Sequence, residues 1–316
     1  MWRTRARGTD WFVFKDGAPI GGPYRGIVDG GILFSPDSRR TVYGIMHAED
    51  RFSLVTDGLV GPVFPTVFKR SWTFSPDSQH VAYGAGVDGS WHGDFFVGEA
   101  AVIVDGSLQR RWPHAQEEGL GPSIFFGPDS KRIAYIVVQN GRQFAVVDGI
   151  QGAASPGIGA GFSNFPNCHL YPGYQKAGWK SYAIEFTPDS SHHAYIAVDT
   201  DGAVLVYDGE PRWRFPIALS KGILFSPDSN RIAFGAEDHN GSQFLIIDGL
   251  PHKHFYGLPP CRPAFNPDPS RVAYLASDGQ SQHLVVDDDT WTLPGRLHLG
   301  TAQKQVRSSR QLWDRL

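Results

Sequence analysis

Phe34-Ser-Pro-Asp-Ser-Arg-Arg-Thr-Val-Tyr43 and Phe74-Ser-Pro-Asp-Ser-Gln-His-Val-Ala-Tyr83 are one phrase written twice, and it returns with small changes at Phe126, Phe186, Phe225 and Phe265. Proline presets φ at the first central position of a turn, and the aspartate behind it can accept hydrogen bonds from nearby amides. Ser-Pro-Asp-Ser therefore reverses the chain between two strands, A and B. A second phrase alternates with the first, an apolar run closing in Asp-Gly. It ends at Asp16, Asp57, Asp105, Asp148, Asp208 and Asp248, and a seventh run ends at Asp287 with Asp288 in place of glycine. This is strand C running into a turn that tolerates positive φ, with strand D behind it. The repeating unit is a four-stranded antiparallel sheet of about forty residues, the size of a propeller blade.

The spacings locate the departures. From the phenylalanine of strand A to the aspartate of strand C the count is 22 or 23 in five repeats and 31 in the one beginning at Phe74. From that aspartate to the next phenylalanine it is 17 or 18 in four cases, 21 after Asp105 and 38 after Asp148. The whole chain, residues 1–316, is read as a single all-β propeller domain with insertions at 86–101 and 150–181. Seven aspartate phrases against six phenylalanine phrases make the chain begin mid-blade. Residues 305–313 are the expected worn A-B pair, closing the ring against N-terminal strands C and D. Seven blades are favoured; a six-bladed ring with two loose ends is the alternative. Closure would remove the sheet edges that otherwise template aggregation.

The Phe-Ser-Pro-Asp-Ser-x-x-Val-Ala-Tyr phrase resembles the WD40-like PD40 repeat of TolB-like β-propellers, a resemblance that runs over residues 11–290. It implies blade architecture. Propellers of this kind serve as transport scaffolds and peptidase gates, so fold does not fix activity. The separate N-terminal α/β domain of TolB and a following peptidase domain are both missing from the pattern, which argues against membership of the Tol system.

Composition narrows the partners. Lys plus Arg (29) nearly balances Asp plus Glu (32), a net charge of -3 without the basic excess that phosphate-backbone binding requires, so nucleic acid is excluded as a partner. No apolar run approaches the roughly 18 residues of a membrane span, and the first ten residues lead into no signal-peptide h-region. The expectation is a soluble chain, cytoplasmic rather than periplasmic unless the sequence is a mature form. Cys168 and Cys261 map two blades apart and are read as free thiols.

In a blade the A-to-B and C-to-D turns lie at one end, and the B-to-C and D-to-A connections at the other. Asp37, Asp77, Asp129, Asp189, Asp228 and Asp268 belong to the first end and are read as turn-formers. Both insertions fall at the second end, and segments of that length are usually lids, binding loops or interfaces. The expected ligand-binding residues there are the cations Arg70, Lys180, Lys221 and Arg262, which would focus positive potential on an anion, and the aromatics Trp91, Tyr171, Tyr174 and Trp179. His47, His92 and His239 are the alternative acid-base residues, and His47, Asp50, His92 and Asp94 the alternative metal ligands. No cofactor is expected; a divalent metal is the alternative.

Other matches lack their context. Gly84-Ala-Gly86-Val-Asp-Gly89 satisfies a dinucleotide fingerprint but follows strand B and precedes no helix. The sequence thus points to a non-enzymatic scaffold for a peptide, a partner protein or a small anion. The competing expectation is a hydrolase or lyase at the channel mouth, with metal assistance as an option.

Overall fold

The structure is a computed structural model that describes residues 2–7, 10–47, 51–69, 71–92, 95–117, 123–158, 184–199, 201–258 and 263–293. Every regular element among them is a strand. The chain divides into two compact units, Met1–Ala154 and Ser155–Leu316.

The first unit holds four antiparallel sheets in chain order. Sheet 1 is Trp2–Arg7, Asp10–Lys15 and Ala18–Tyr24. Its first strand corrects the sequence reading: Trp2–Arg7 pairs with Asp10–Lys15 along its length and so occupies the strand B position that residues 305–313 were expected to fill. Residues 305–313 lie outside the described set. In sheet 2, strand B is Thr41–Met46, strand C is Phe52–Thr56 and strand D is Leu59–Val60. Strand A is split, because Gly26–Ile27 and Leu33–Phe34 both pair with strand B on either side of a short loop. Sheet 4 is Ser123–Phe126, Ile133–Gln139, Arg142–Val147 and Ile150–Gln151.

Sheet 3 differs in length. Its strands B, C and D are Val81–His92, Phe95–Val104 and Ser107–Glu117. Residues 86–101, expected as an irregular loop, instead extend the ladder: strand B pairs with strand C out to His92 opposite Phe95, and strand C with strand D out to Glu117. The extra residues continue an existing ladder, which satisfies their backbone groups better than a loop would. Gly89 and Gly98 face each other across this extension, both at positive φ. A Cβ on Gly89 would lie 2.3 Å from the Val97 carbonyl oxygen, so the crossing admits no larger residue.

The second unit holds sheets 5 to 7. Sheet 5 comprises Gly157–Ile158 and Ile184–Phe186 as a split strand A, followed by His193–Asp199, Gly202–Tyr207 and Glu210–Phe215. The insertion read as 150–181 thus begins with ordinary strands at 150–151 and 157–158, and residues 159–183 lie outside the described set. Sheet 6 is Ile217–Phe225, Ile232–Glu237, Gln243–Ile247 and Leu250–Pro251; sheet 7 is Ala264–Phe265, Val272–Ser277, Gln282–Val286 and Asp289–Thr292.

The core lies in strands B and C. Val42, Ile45, Val55, Ile103, Leu205, Phe234, Leu245 and Val285 are buried, and each such side chain contributes about 1.5–3 kcal/mol relative to exposure. Strand B also buries Tyr43, Tyr83, Tyr135, Tyr195 and Tyr274, whose hydroxyls burial pushes toward higher pKa, Tyr274 to about 12. Large alternates with small in Val81-Ala82-Tyr83, which lets neighbouring sheets interdigitate within a unit.

Candidate functional site

The two repeated turns share one end of each sheet because their side chains bond to one another. In sheet 2, Ser35 Oγ donates to Asp37 Oδ1 at 2.5 Å and accepts from the Arg40 amide at 2.9 Å, while the Arg39 amide donates to Asp37 Oδ1. Asp57 follows strand C at φ 53° with Gly58 at 82°, the two positive angles of a type I′ turn. Its Oδ1 accepts the Thr41 amide at 2.8 Å and its Oδ2 accepts Arg40 Nε at 2.8 Å. The amide contact recurs at Asp105, Asp148, Asp208, Asp248 and Asp287, with an arginine Nε on Oδ2 at Asp148, Asp248 and Asp287 and a histidine Nδ1 at Asp105 and Asp208. The phrase aspartates are therefore occupied as turn-formers. Hydroxyl and amide donors hold the carboxyls of Asp37, Asp77, Asp189, Asp228 and Asp268 below the usual range.

The turns also tie successive sheets together within each unit. The fifth residue of the phrase sits at positive φ with its hydroxyl turned to the preceding sheet: Ser78 Oγ accepts the Asp37 amide at 3.1 Å, Ser130 Oγ that of Asp77 at 2.9 Å, and Ser229 Oγ that of Asp189 at 3.2 Å. Arg40 crosses the same junction from the other side, donating Nη1 to the carbonyls of Ser78 at 3.0 Å and of Gln79, with its guanidinium 5.5 Å from the centre of the Phe74 ring. Arg231 repeats this onto Pro269, Ser270 and Phe265.

Between sheets 5 and 6 this end opens into a cleft of about 330 Å³, lined by Tyr207, Arg212, Trp213, Phe225, Ser229, Asn230, Arg231, Ile232 and Asp248. Tyr207 stands edge-on to Phe225, with centroids 6.2 Å apart. Trp213 stacks on Phe234 and covers Gly249, where a Cβ would lie 2.3 Å from the indole nitrogen. The Arg212 guanidinium lies 5.2 Å from the Tyr207 ring centre and 5.9 Å from that of Trp213, and forms no hydrogen bond or ion pair among the described residues. The Arg231 guanidinium is bound to Asp248 at 2.8 Å. Burial raises the Tyr207 phenol, and the charge of Asp208 adds to this. A shallow aromatic wall with one uncommitted guanidinium can hold a polar side chain by stacking and by hydrogen bonds.

The residues expected from sequence are placed as follows. Arg70, Lys180, Arg262, Tyr171, Tyr174, Trp179, Asp50 and Asp94 lie outside the described residues, and Lys221 is described only as backbone in Ile217–Phe225. Trp91 is half-buried against Phe96, with centroids 5.6 Å apart, so it packs the sheet 3 extension. His47 Nε2 lies 2.9 Å from Ser53 Oγ, which in turn donates to the Pro62 carbonyl. His92, on the neighbouring sheet, has Ser90 as its partner, and His239 is exposed in the Asp238–Gly241 turn. His47 and His92 thus each have a serine hydroxyl as their described partner. Asp238 instead faces His254 at 3.2 Å, and His283 pairs with Asp278 at 2.9 Å. Among the described residues no group of three or more His, Cys, Asp or Glu could hold a metal ion.

Comparison with known proteins gives no matching family and no matching curated protein. Among solved structures the chain is similar to TolB from Acinetobacter baumannii, with 13% identity over 93% of this chain and 79% of that one and a TM-score of 0.36. It is similar also to the Dos1 propeller, with 12% identity over 86% and 75% and a TM-score of 0.37. A likeness of this extent carries no activity or partner from those proteins to this chain.

Proposed function

We propose that the chain is a non-enzymatic binding scaffold whose seven sheets are the blades of a closed propeller, and that it presents its surface to a peptide or partner protein. The observation that supports this is the cleft between sheets 5 and 6, where Tyr207, Trp213 and Arg212 face solvent while the surrounding turn carboxylates are committed to backbone and arginine donors. Rigid turns fix the wall, and a fixed wall binds without the entropy cost of ordering a loop. The three-stranded extension of sheet 3, which carries Trp91 of the expected aromatic residues, is a second surface at the B-to-C end of its own sheet.

A library of immobilised peptides graded in charge tests the proposal. Saturable binding that Trp213→Ala removes, with the circular dichroism spectrum unchanged, is the expected result. Turnover of chromogenic ester or phosphoester substrates by the wild-type chain, with no peptide retained, would replace the scaffold by an enzyme.

A further inference from the structure

The residue that opens strand B after each phrase is Arg40, His80, Arg132, His192, Arg231 and Arg271 in turn. Arg40 and Arg231 each fill the junction to the next sheet in three ways: Nε to the aspartate of their own strand C, Nη1 to two carbonyls of the next A-to-B turn, and the guanidinium over the next strand A phenylalanine. His192 reproduces only the first of these. Its Nδ1 lies 2.5 Å from Asp208 Oδ2 and its ring packs on Tyr207, with centroids 5.3 Å apart. An imidazole ends two atoms short of a guanidinium, and with Nδ1 turned to Asp208 it makes no hydrogen bond to the next sheet among the described residues.

The acceptors an arginine would have used are still present. In register with the carbonyls bound by Arg40 and Arg231 stand those of Ser229 and Asn230, and both residues line the cleft with Phe225, the counterpart of Phe74 and Phe265. Neither carbonyl accepts a hydrogen bond from any described residue. His80 carries the same exchange. There Val104 stands in place of Tyr207, and Arg110 Nη1 approaches the Gly149 carbonyl of the next sheet at 3.5 Å.

We propose that the cleft between sheets 5 and 6 receives the guanidinium of an arginine side chain carried by a partner protein or peptide, in the place that His192 leaves unfilled. The inference rests on the scaffold reading and names its ligand chemistry. Two carbonyls side by side match the forked donors of a guanidinium, and the Phe225 ring, in register with Phe74 and Phe265, supplies a face on which a planar cation stacks. The local charge agrees: the turns around the cleft carry the carboxylates Asp189, Asp208, Asp228 and Asp248 against the guanidiniums of Arg212 and Arg231. Arg231 is neutralised by Asp248, which leaves Arg212 as the lining cation without an ion pair among the described residues and the main opponent of a second cation. Arg212 is therefore the residue that separates an arginine occupant from an acidic one.

The test uses the full chain and three short blocked peptides, Gly-Arg-Gly, Gly-Lys-Gly and Gly-Glu-Gly, followed by the NMR signal of the Trp213 indole N–H. The arginine peptide is expected to shift that signal saturably and to outbind the lysine peptide. In His192→Arg, which supplies the guanidinium from within, its affinity should fall by at least about tenfold, and in Arg212→Ala it should hold or tighten. Equal binding of the arginine peptide by wild type and His192→Arg overturns the proposal. So does a Trp213 response to the glutamate peptide that Arg212→Ala abolishes, which would make the cleft an acidic-peptide site. If no peptide moves Trp213, the arginine site is wrong, while the scaffold reading stands or falls separately on the peptide library.

Discussion

Arg40 and Asp57 meet at 2.8 Å, and through that contact one side chain joins both turns of sheet 2 to the carbonyls of sheet 3. Both groups are partly exposed, so screening weakens the ion pair itself, and the larger loss on truncation comes from the hydrogen bonds to Ser78 and Gln79. Arg40→Ala should cost about 1–2 kcal/mol in a denaturant titration. Asp57→Asn, which keeps an oxygen for the Thr41 amide, should cost less than Asp57→Ala. Equal losses for the two Asp57 variants would show that the amide contact is unimportant.

Ser78 and Ser38 occupy the same position of the phrase, both at positive φ, but Ser78 is 1% exposed and accepts the Asp37 amide, whereas Ser38 is exposed. Ser78→Ala leaves that amide without its acceptor and should destabilise by about 1–3 kcal/mol, while Ser38→Ala should stay within about 0.5 kcal/mol. Thermal melts of the pair measure the difference, and similar values would remove the hydroxyl from the account of how sheets join.

The phrase and the Asp-Gly runs made the turns, strands B and C and the aspartate roles legible in the sequence, because each depends on local chemistry that repeats. Trp2–Arg7 was not legible as a strand: it carries neither phrase, and its place is decided by the edge of Asp10–Lys15 that it pairs with. The sheet 3 extension read as a loop because the 31-residue spacing from Phe74 to Asp105 counts extra residues without saying that they pair; Gly89 and Gly98 are what allows its strands to approach. The cleft escaped for another reason. It lies at the uniform turn end, and its signal is the exchange of arginine for His192, which matters only once Arg40 and Arg231 are seen to cross between sheets.

Asp278 supplies a pH dependence. Backbone amides of Ser281 and Gln280, then the His283 imidazole, hold its carboxyl down at about 2. Its folded pKa lies below the unfolded value of about 3.9, so its contribution is complete above that value and is lost as the pH falls through the folded pKa. The melting temperature should drop between about pH 4 and pH 2, and Asp278→Asn should approach the wild type as that range is crossed. A gap between the two that stays constant with pH would contradict the assignment.

Gly89→Ala places a methyl against the Val97 carbonyl at a φ of 129°, a region that L-residues rarely adopt. The strain should be about 1–3 kcal/mol and should stay local, loosening the outer ladder from Gly89 to His92 while the inner pairs at Ala82–Ala85 hold. Hydrogen exchange resolved by segment reads this directly. Uniform deprotection of sheet 3 would mean that the extension and the blade form one cooperative unit.

The reciprocal exchange His192→Arg and Arg231→His, followed by equilibrium denaturation, tests most directly whether an arginine at the head of strand B fastens its sheet to the next one within a unit. His192→Arg should raise stability by gaining the Ser229 and Asn230 carbonyls, and Arg231→His should lower it by giving up those of Pro269 and Ser270. Unchanged or reduced stability in His192→Arg, with Arg231→His neutral, would contradict it.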